Sequence, residues 1–363
     1  MRKRLLILGG IVILFLFFVI FLLLENKKNE LFKKDYYIGI VTVQGDNKPE
    51  INFMDNSLEN IGKITLNAKD FLRVFNYNKV EQDESSFYFV QDSSIFSNNN
   101  DLLKVDKNNF KQTKLKINTY PSYFHVGKNN IYTVEILLGA SNLGIFDKKK
   151  NISTLNEKIN NTLSPSIFEY NSDLYYYIND KNKVTLYNHM KKKSELSIDN
   201  VNEILYTYLN DDTAYILGKY IEDDEKGQIG KYILTKYNFK TKKISNIIIP
   251  NKEYKYVFAD LIVVNNKIIL QEDVNLVAFK NKKDVIYVDM DKKQIKNFSL
   301  DEYPQSINLD RNNNIIFVSK NSISIYNKDF KLIKHKKINI IKEKDYERRF
   351  NSHVLIGGNY EKN

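Results

Sequence analysis

A short polar hairpin, opened by Asp or Asn and filled with lysine, recurs along most of this chain. It stands at Asp55, Asp106-Lys107-Asn108, Asp147-Lys148-Lys149, Asn188 to Lys193, Asn238 to Lys243, Asp289 to Lys293 and Asn327-Lys328-Asp329, at a mean interval of about 45 residues. Asp and Asn accept turn geometries that other residues resist. Between the hairpins lie short runs rich in Ile, Val, Tyr and Phe, such as Asn130-Ile131-Tyr132-Thr133-Val134 and Asp173-Leu174-Tyr175-Tyr176-Tyr177, and no long stretch carries a helical period. A repeat of this length made of strands is one four-stranded propeller blade, so the pattern predicts an all-β propeller.

The ends of the repeat predict the blade count. Pro121, Pro165 and Pro304 mark the starts of three units, where a missing backbone donor does least harm. The first unit, from Tyr36, holds strands only at about 36–43, 50–54 and 61–66, and the C-terminus carries a surplus apolar strand, residues 353–357. If the surplus strand fills the vacancy, a seven-bladed β-propeller over 36–357 closes on itself and leaves no open sheet edge.

Units such as Asp173 to Asp180 followed by Lys183-Val184-Thr185-Leu186-Tyr187 resemble the repeats of the YVTN and quinoprotein-like seven-bladed propellers. The resemblance covers residues 36–357 and implies a fold. It transfers no catalytic residues: the chain has no Trp, so the Trp-dependent signatures of WD, quinoprotein-dehydrogenase and sialidase propellers have no counterpart.

Ahead of the repeat, Leu5 to Leu24 is an uninterrupted run without charge, long enough as a helix to cover roughly 30 Å of hydrocarbon. No small-residue cleavage site follows it, which predicts a retained single-pass transmembrane helix (5–24) rather than a signal peptide. Arg2, Lys3 and Arg4 precede it, and the positive-inside rule then puts the stub 1–4 in the cytoplasm and the propeller outside. The linker 25–35 reaches at most roughly 35–40 Å at about 3.3–3.6 Å per residue, and 358–363 form a tail.

Because the chain breaks between the first and second strands of a blade, both ends of the propeller leave on the face of the first and third turns. That face is expected to look at the bilayer, and its Lys148, Lys149, Lys150, Lys191, Lys192, Lys193, Lys242, Lys243, Lys292 and Lys293 are either ordinary solvated turn lysines or a surface for anionic headgroups or an anionic envelope polymer. The opposite face carries long loops with Phe96, Glu222, Asp223, Asp224, Glu225, Glu272 and Asp273, the expected surface for a partner protein or envelope polymer. Tyr77, Tyr120, Tyr123 and Tyr303, at or just before innermost strands, are expected to pack in the aromatic core, the alternative being a sugar-stacking surface that lines the axial mouth.

Composition narrows the chemistry. With no cysteine, disulfides, thiolate catalysis and Cys-ligated metal are excluded. His125, His189, His335 and His353 show no metal-ligand spacing, Glu222 to Glu225 lacks the alternating pattern of a calcium loop, and no nucleophile elbow or phosphate loop is present. No cofactor is therefore expected. The net charge of +11 comes mostly from Lys without a basic-aromatic stripe, which argues against a nucleic-acid partner. The expectation is a non-enzymatic, membrane-anchored binding or scaffolding module; the competing one is a hydrolase or lyase acting on carbohydrate or a lactone through carboxylates gathered at the axis.

Overall fold

The structure, a computed structural model, describes residues 15–20, 36–42, 49–67, 80–90, 101–119, 121–137, 140–221, 229–251, 258–272, 284–302, 304–319, 321–338 and 352–357. Among these, seven four-stranded antiparallel sheets are formed, each meandering outward from an innermost strand. The innermost strands of blades 2 to 7 are Glu81–Gln82, Tyr123–Val126, Leu163–Tyr170, Glu203–Asn210, Phe258–Val264 and Ser306–Leu309. In blade 1 that place is taken by the last strand, Ser352–Ile356, which pairs with Ile38–Thr42 in the register Ile38 to Ile356 and Thr42 to Ser352. The seam is tied further by Gly357 N–H donating to Tyr37 O at 3.0 Å, and by Tyr37 OH donating to Asp310 Oδ2 of blade 7 at 2.6 Å. The chain is thus an all-β, seven-bladed propeller.

The core explains why second strands read as near-continuous apolar runs. Among the described residues there are seven buried clusters, and each joins two adjacent blades: Leu217 and Leu234 of blade 5 meet Val263 and Leu270 of blade 6, and Phe53 of blade 1 meets Phe87 and Phe89 of blade 2. A blade therefore buries both faces, and Ile38–Thr42 and Ser86–Val90 are buried throughout. Fourth strands, on the rim, alternate: Lys193–Asp199 and Ile244–Pro250 expose every second residue over most of their length. Pro165 sits within its innermost strand at a break in register between Leu163 and Ile167, where the axial edge needs no donor.

The repeated Asp and Asn markers cap the turn between third and fourth strands. Asp55, Asp106, Asp147, Asn188, Asn238, Asp289 and Asn327 each accept, through Oδ1, one or two turn N–H groups at 2.8–3.1 Å. The turn ends on a residue of positive φ, namely Asn151, Lys192, Lys242 or Lys293 in blades 3 to 6. In blades 4 and 6 the first turn is a two-residue hairpin with positive φ at both positions, Asn171-Ser172 and Asn265-Asn266, which matches strand twist.

Of the apolar run 5–24, residues 15–20 are described; they are helical and expose Phe15, Leu16, Phe17, Phe18 and Ile20. No helix among the described residues is long and apolar enough to cross a membrane. The rest of that run, the linker 25–35 and the tail 358–363 lie outside the described residues.

Candidate functional site

The innermost strands of blades 2 to 5 enclose a cavity of about 230 Å³ beside the propeller axis. Its wall takes Glu81 from blade 2, residues 123–125 from blade 3, 165–169 from blade 4 and 205–209 from blade 5. Each of these positions lies one to five residues before the end of its strand, so the cavity lies in the half of the channel nearer the first turns. That is also the half nearer both ends of the propeller. Phe124, Ile167, Phe168 and Leu205 are buried behind it, while Tyr123, His125, Glu169, Tyr206 and Tyr208 are half-buried and keep part of their surface on the opening.

Hydrogen bonds fix the polar wall. Ser166 Oγ donates to Thr207 Oγ1 at 3.0 Å, and the Tyr177 hydroxyl meets the same oxygen at 2.8 Å, locking blade 4 to blade 5. Tyr132 OH donates to Glu169 Oε2 at 2.8 Å. Burial and that carboxylate push the Tyr132 phenol up to about 12. The bond needs Gly127, because a methyl group there would collide with the Glu169 carboxylate and lie 2.9 Å from the Tyr132 ring.

Around this wall the titratable groups are displaced from their ordinary values. Burial, and secondarily the Lys148 ammonium, lower His125 to about 4, so the imidazole is neutral at pH 7. Its contact with Glu81, Nδ1 to Oε2 at 3.7 Å, is then no ion pair. Burial raises Asp83, but hydrogen bonds from Lys148, Tyr88 and Ser85 outweigh it and hold the acid at about 2. Lys148 Nζ lies 3.0 Å from Asp83 Oδ2 and donates to Gly127 O at 2.7 Å, stapling blade 3 to blade 2. Burial lowers Lys107 to about 8, with Asp83 opposing and Arg311 adding to the shift; its ammonium donates to Gln82 Oε1 at 3.2 Å and sits 4.8 Å from the centre of the Phe87 ring.

Of the residues singled out from sequence, one stands in the described wall. Tyr123 lines the cavity. Phe96, Glu222, Asp223, Asp224, Glu225, Asp273, Tyr77, Tyr120 and Tyr303 lie outside the described residues. Glu272 ends a strand, Lys267–Glu272, and is buried instead of standing on a loop. The ten hairpin lysines all occupy third turns, on the face shared by the propeller's ends. They are not equivalent. Lys148 is bound to Asp83, Lys150 lies 3.7 Å from Asp147, Lys191 pairs with Asp173 at 2.7 Å and Lys242 pairs with Glu195. Lys149, Lys192, Lys193, Lys243, Lys292 and Lys293 have no ion-pair partner among the described residues. Sequence reasoning passed over Glu81, His125, Glu169, Tyr206 and Tyr208. A usable signal was present for two of them, since His125 and Glu169 each follow a start-marking proline by four residues. Among the described residues no three His, Asp or Glu side chains gather as metal ligands.

Fold and cavity together define a closed β-propeller with an axial pocket. No protein-family model matches the sequence, and no curated protein matches it. Solved structures do share the fold. A protein of Bacteroides uniformis, provisionally assigned as a 6-phosphogluconolactonase, aligns at a TM-score of 0.56 with 9% identity, over 85% of this chain and 98% of that one. AztD of Citrobacter koseri, in its apo form, aligns at 0.49 with 11% identity over 89% and 99%. Hydrazine synthase of Kuenenia stuttgartiensis aligns at 0.49 with 11% identity over 69% and 76%. At these identities the likeness is one of fold.

Proposed function

We propose that this chain is a membrane-tethered, extracytoplasmic propeller that serves as a non-enzymatic binding or scaffolding module for a cell-envelope polymer or a protein, with the axial cavity as its point of contact. One observation carries the reading: the cavity wall is built from half-exposed tyrosines over an apolar floor, while Glu169, Ser166 and Thr207 in it are committed to hydrogen bonds. Glu169 is held by Tyr132, and Ser166 by Thr207, whose hydroxyl also meets Tyr177. Such a wall offers surface for a ligand and few groups free to move protons. At about 230 Å³ it is smaller than the roughly 300–1,000 Å³ of drug-sized pockets, and fits a single projecting unit of a polymer.

The tether rests on Leu5 to Leu24, whose residues 15–20 are helical with apolar side chains exposed. Anchoring there turns the face of the propeller's ends toward the bilayer, and with it the six hairpin lysines that have no ion-pair partner among the described residues, each contributing about 1 kcal/mol against an anionic surface. Co-sedimentation of the full chain, in membranes, with purified envelope polymer tests the assignment. Retention should be strong for the native chain and lost in Tyr208→Ala; equal retention by both proteins defeats the cavity as the contact.

A second reading has its own support. Glu81 and Glu169 border the same cavity, and the Bacteroides uniformis propeller is assigned to lactone chemistry. A hydrolase of carbohydrate or lactone would show turnover that Glu169→Gln abolishes, whereas a binding module shows none.

A further inference from the structure

The charge of the axial cavity restricts what it admits. No lysine or arginine contributes to its described wall, although the chain carries 55 of them. Lys148, whose ammonium acts on the His125 ring, is neutralised by Asp83 and turned onto Gly127 O. His125 brings no positive charge at neutral pH. Glu169, by contrast, borders the opening with a carboxylate whose hydrogen-bond partner, the Tyr132 hydroxyl, is neutral. It has no ion-pair partner among the described residues. Gly127 is the device that lets this carboxylate approach the first turn of blade 3. Tyr123, Tyr206 and Tyr208, from blades 3 and 5, line the same cavity. A carboxylate and electron-rich rings that border one confined space attract a cation twice over, through the charge and through the ring quadrupoles.

We propose that the axial cavity takes a cationic ligand, an ammonium group on a molecule or polymer unit no larger than a monosaccharide, with Glu169 as its counter-charge and the three tyrosines as its wall. This rests on the reading of the cavity as the contact site and gives that site its ligand class. Apolar or anionic units of similar size gain nothing from Glu169, and anions are repelled by it.

The test uses matched pairs that differ in charge and little in shape: choline against 3,3-dimethylbutan-1-ol, and glucosamine against glucose. Each is titrated calorimetrically into the full chain in detergent at low ionic strength. The charged member of at least one pair should bind at least tenfold more tightly than its neutral partner. Glu169→Gln, which keeps an oxygen for Tyr132 OH, should erase the preference while leaving the unfolding temperature within a degree or two. Gly127→Ala, which displaces the carboxylate without removing it, should weaken the charged probe at least fivefold and leave the neutral one unchanged. Equal affinities within both pairs, a preference that survives Glu169→Gln, or no binding of either charged probe at millimolar concentration would each overturn the cationic assignment. The dependence of polymer retention on Tyr208 is read separately, so the cavity can stand as a contact site even where its ligand is found to be uncharged.

Discussion

Blades 2 and 5 are built from the same repeat and hold together differently. Blade 5 is ladder: its first three strands, Glu203–Asn210, Thr213–Ile221 and Ile229–Asn238, run eight, nine and ten residues. Its apolar side chains Leu217, Tyr232 and Leu234 are fully buried against blade 6. Blade 2 has an innermost strand of two residues, Glu81–Gln82, followed by strands of five and six. Where the ladder is short, charged side chains take over: Asp83 reaches Lys148 of blade 3, and Lys107 folds back over Phe87 onto Gln82. The cavity opens beside that short strand. Regular strand pairing seals the wedge between blades 5 and 6, while the innermost strands of both blades 2 and 5 still give side chains to the cavity.

The largest expected effects separate the two modes by their response to pH. Leu234→Ala in blade 5 leaves a void between two sheets and should cost about 2–5 kcal/mol, almost independently of pH. Asp83→Ala in blade 2 strands Lys148 and the Tyr88 hydroxyl. With both members of the pair about one-fifth exposed, it should cost about 2–3 kcal/mol at pH 7. Asp83 titrates at about 2 in the fold against 3.8 in a free chain, so its contribution is complete above pH 4 and is lost as pH falls toward 2. Urea unfolding of both variants at pH 7 and at successive steps down to pH 2 reads the difference; parallel pH profiles would break the contrast between the blades.

How far the sequence announced this follows the same division. The Asx-opened hairpins were readable because one side-chain oxygen does one job in every blade, capping a turn, and a repeated job leaves a repeated residue. The deficit of one strand at Tyr36 and the surplus at 353–357 were readable because an unpaired strand has a conspicuous apolar pattern and an obvious vacancy. The cavity was not readable. Glu81, His125 and Glu169 lie far apart in the chain, each alone on a strand resembling its neighbours, and only closure of the ring brings blades 2, 3 and 4 around one opening. Lysine counting misled for a related reason: Lys148 and Lys149 are adjacent in sequence, yet one staples two blades and the other faces solvent.

Lys107 gives a smaller effect of opposite sign. Its ammonium is buried, and burial lowers it to about 8 from 10.5. At pH 7 it is protonated in both states and the fold bears the desolvation. Between pH 8 and 10.5 the unfolded chain holds a proton that the fold has released, so stability gains from rising pH. Lys107→Met keeps the aliphatic stem over Phe87 and removes the charge. It should stabilise by about 1–2 kcal/mol at pH 7, and the gain should shrink to nothing by pH 10.5. A gain of the same size at both pH values would mean that packing, not charge, sets the difference, and blade 2 would lose its distinction from blade 5.

The finest comparison uses one turn position shared by blades 5 and 6. Lys242 and Lys293 both have left-handed φ, 57° and 52°, a conformation that costs side-chain-bearing residues roughly 1–2 kcal/mol and glycine almost nothing. Glycine gives part of that back by loosening the unfolded chain, about 0.5–1 kcal/mol. Lys293 is exposed and has no ion-pair partner among the described residues, so Lys293→Gly should gain a few tenths of a kcal/mol, up to about 1. Lys242 has the same backbone but pairs with Glu195, which also accepts from Tyr237 OH at 2.7 Å, and it lies 5.8 Å from the centre of the Tyr237 ring. Removing it relieves the turn and discards the pair, so Lys242→Gly should leave the unfolding temperature unchanged or lower. If the two variants shift that temperature equally, hairpin lysines contribute only backbone geometry to the blades, and their ion pairs add nothing to the ladder that blade 5 already has.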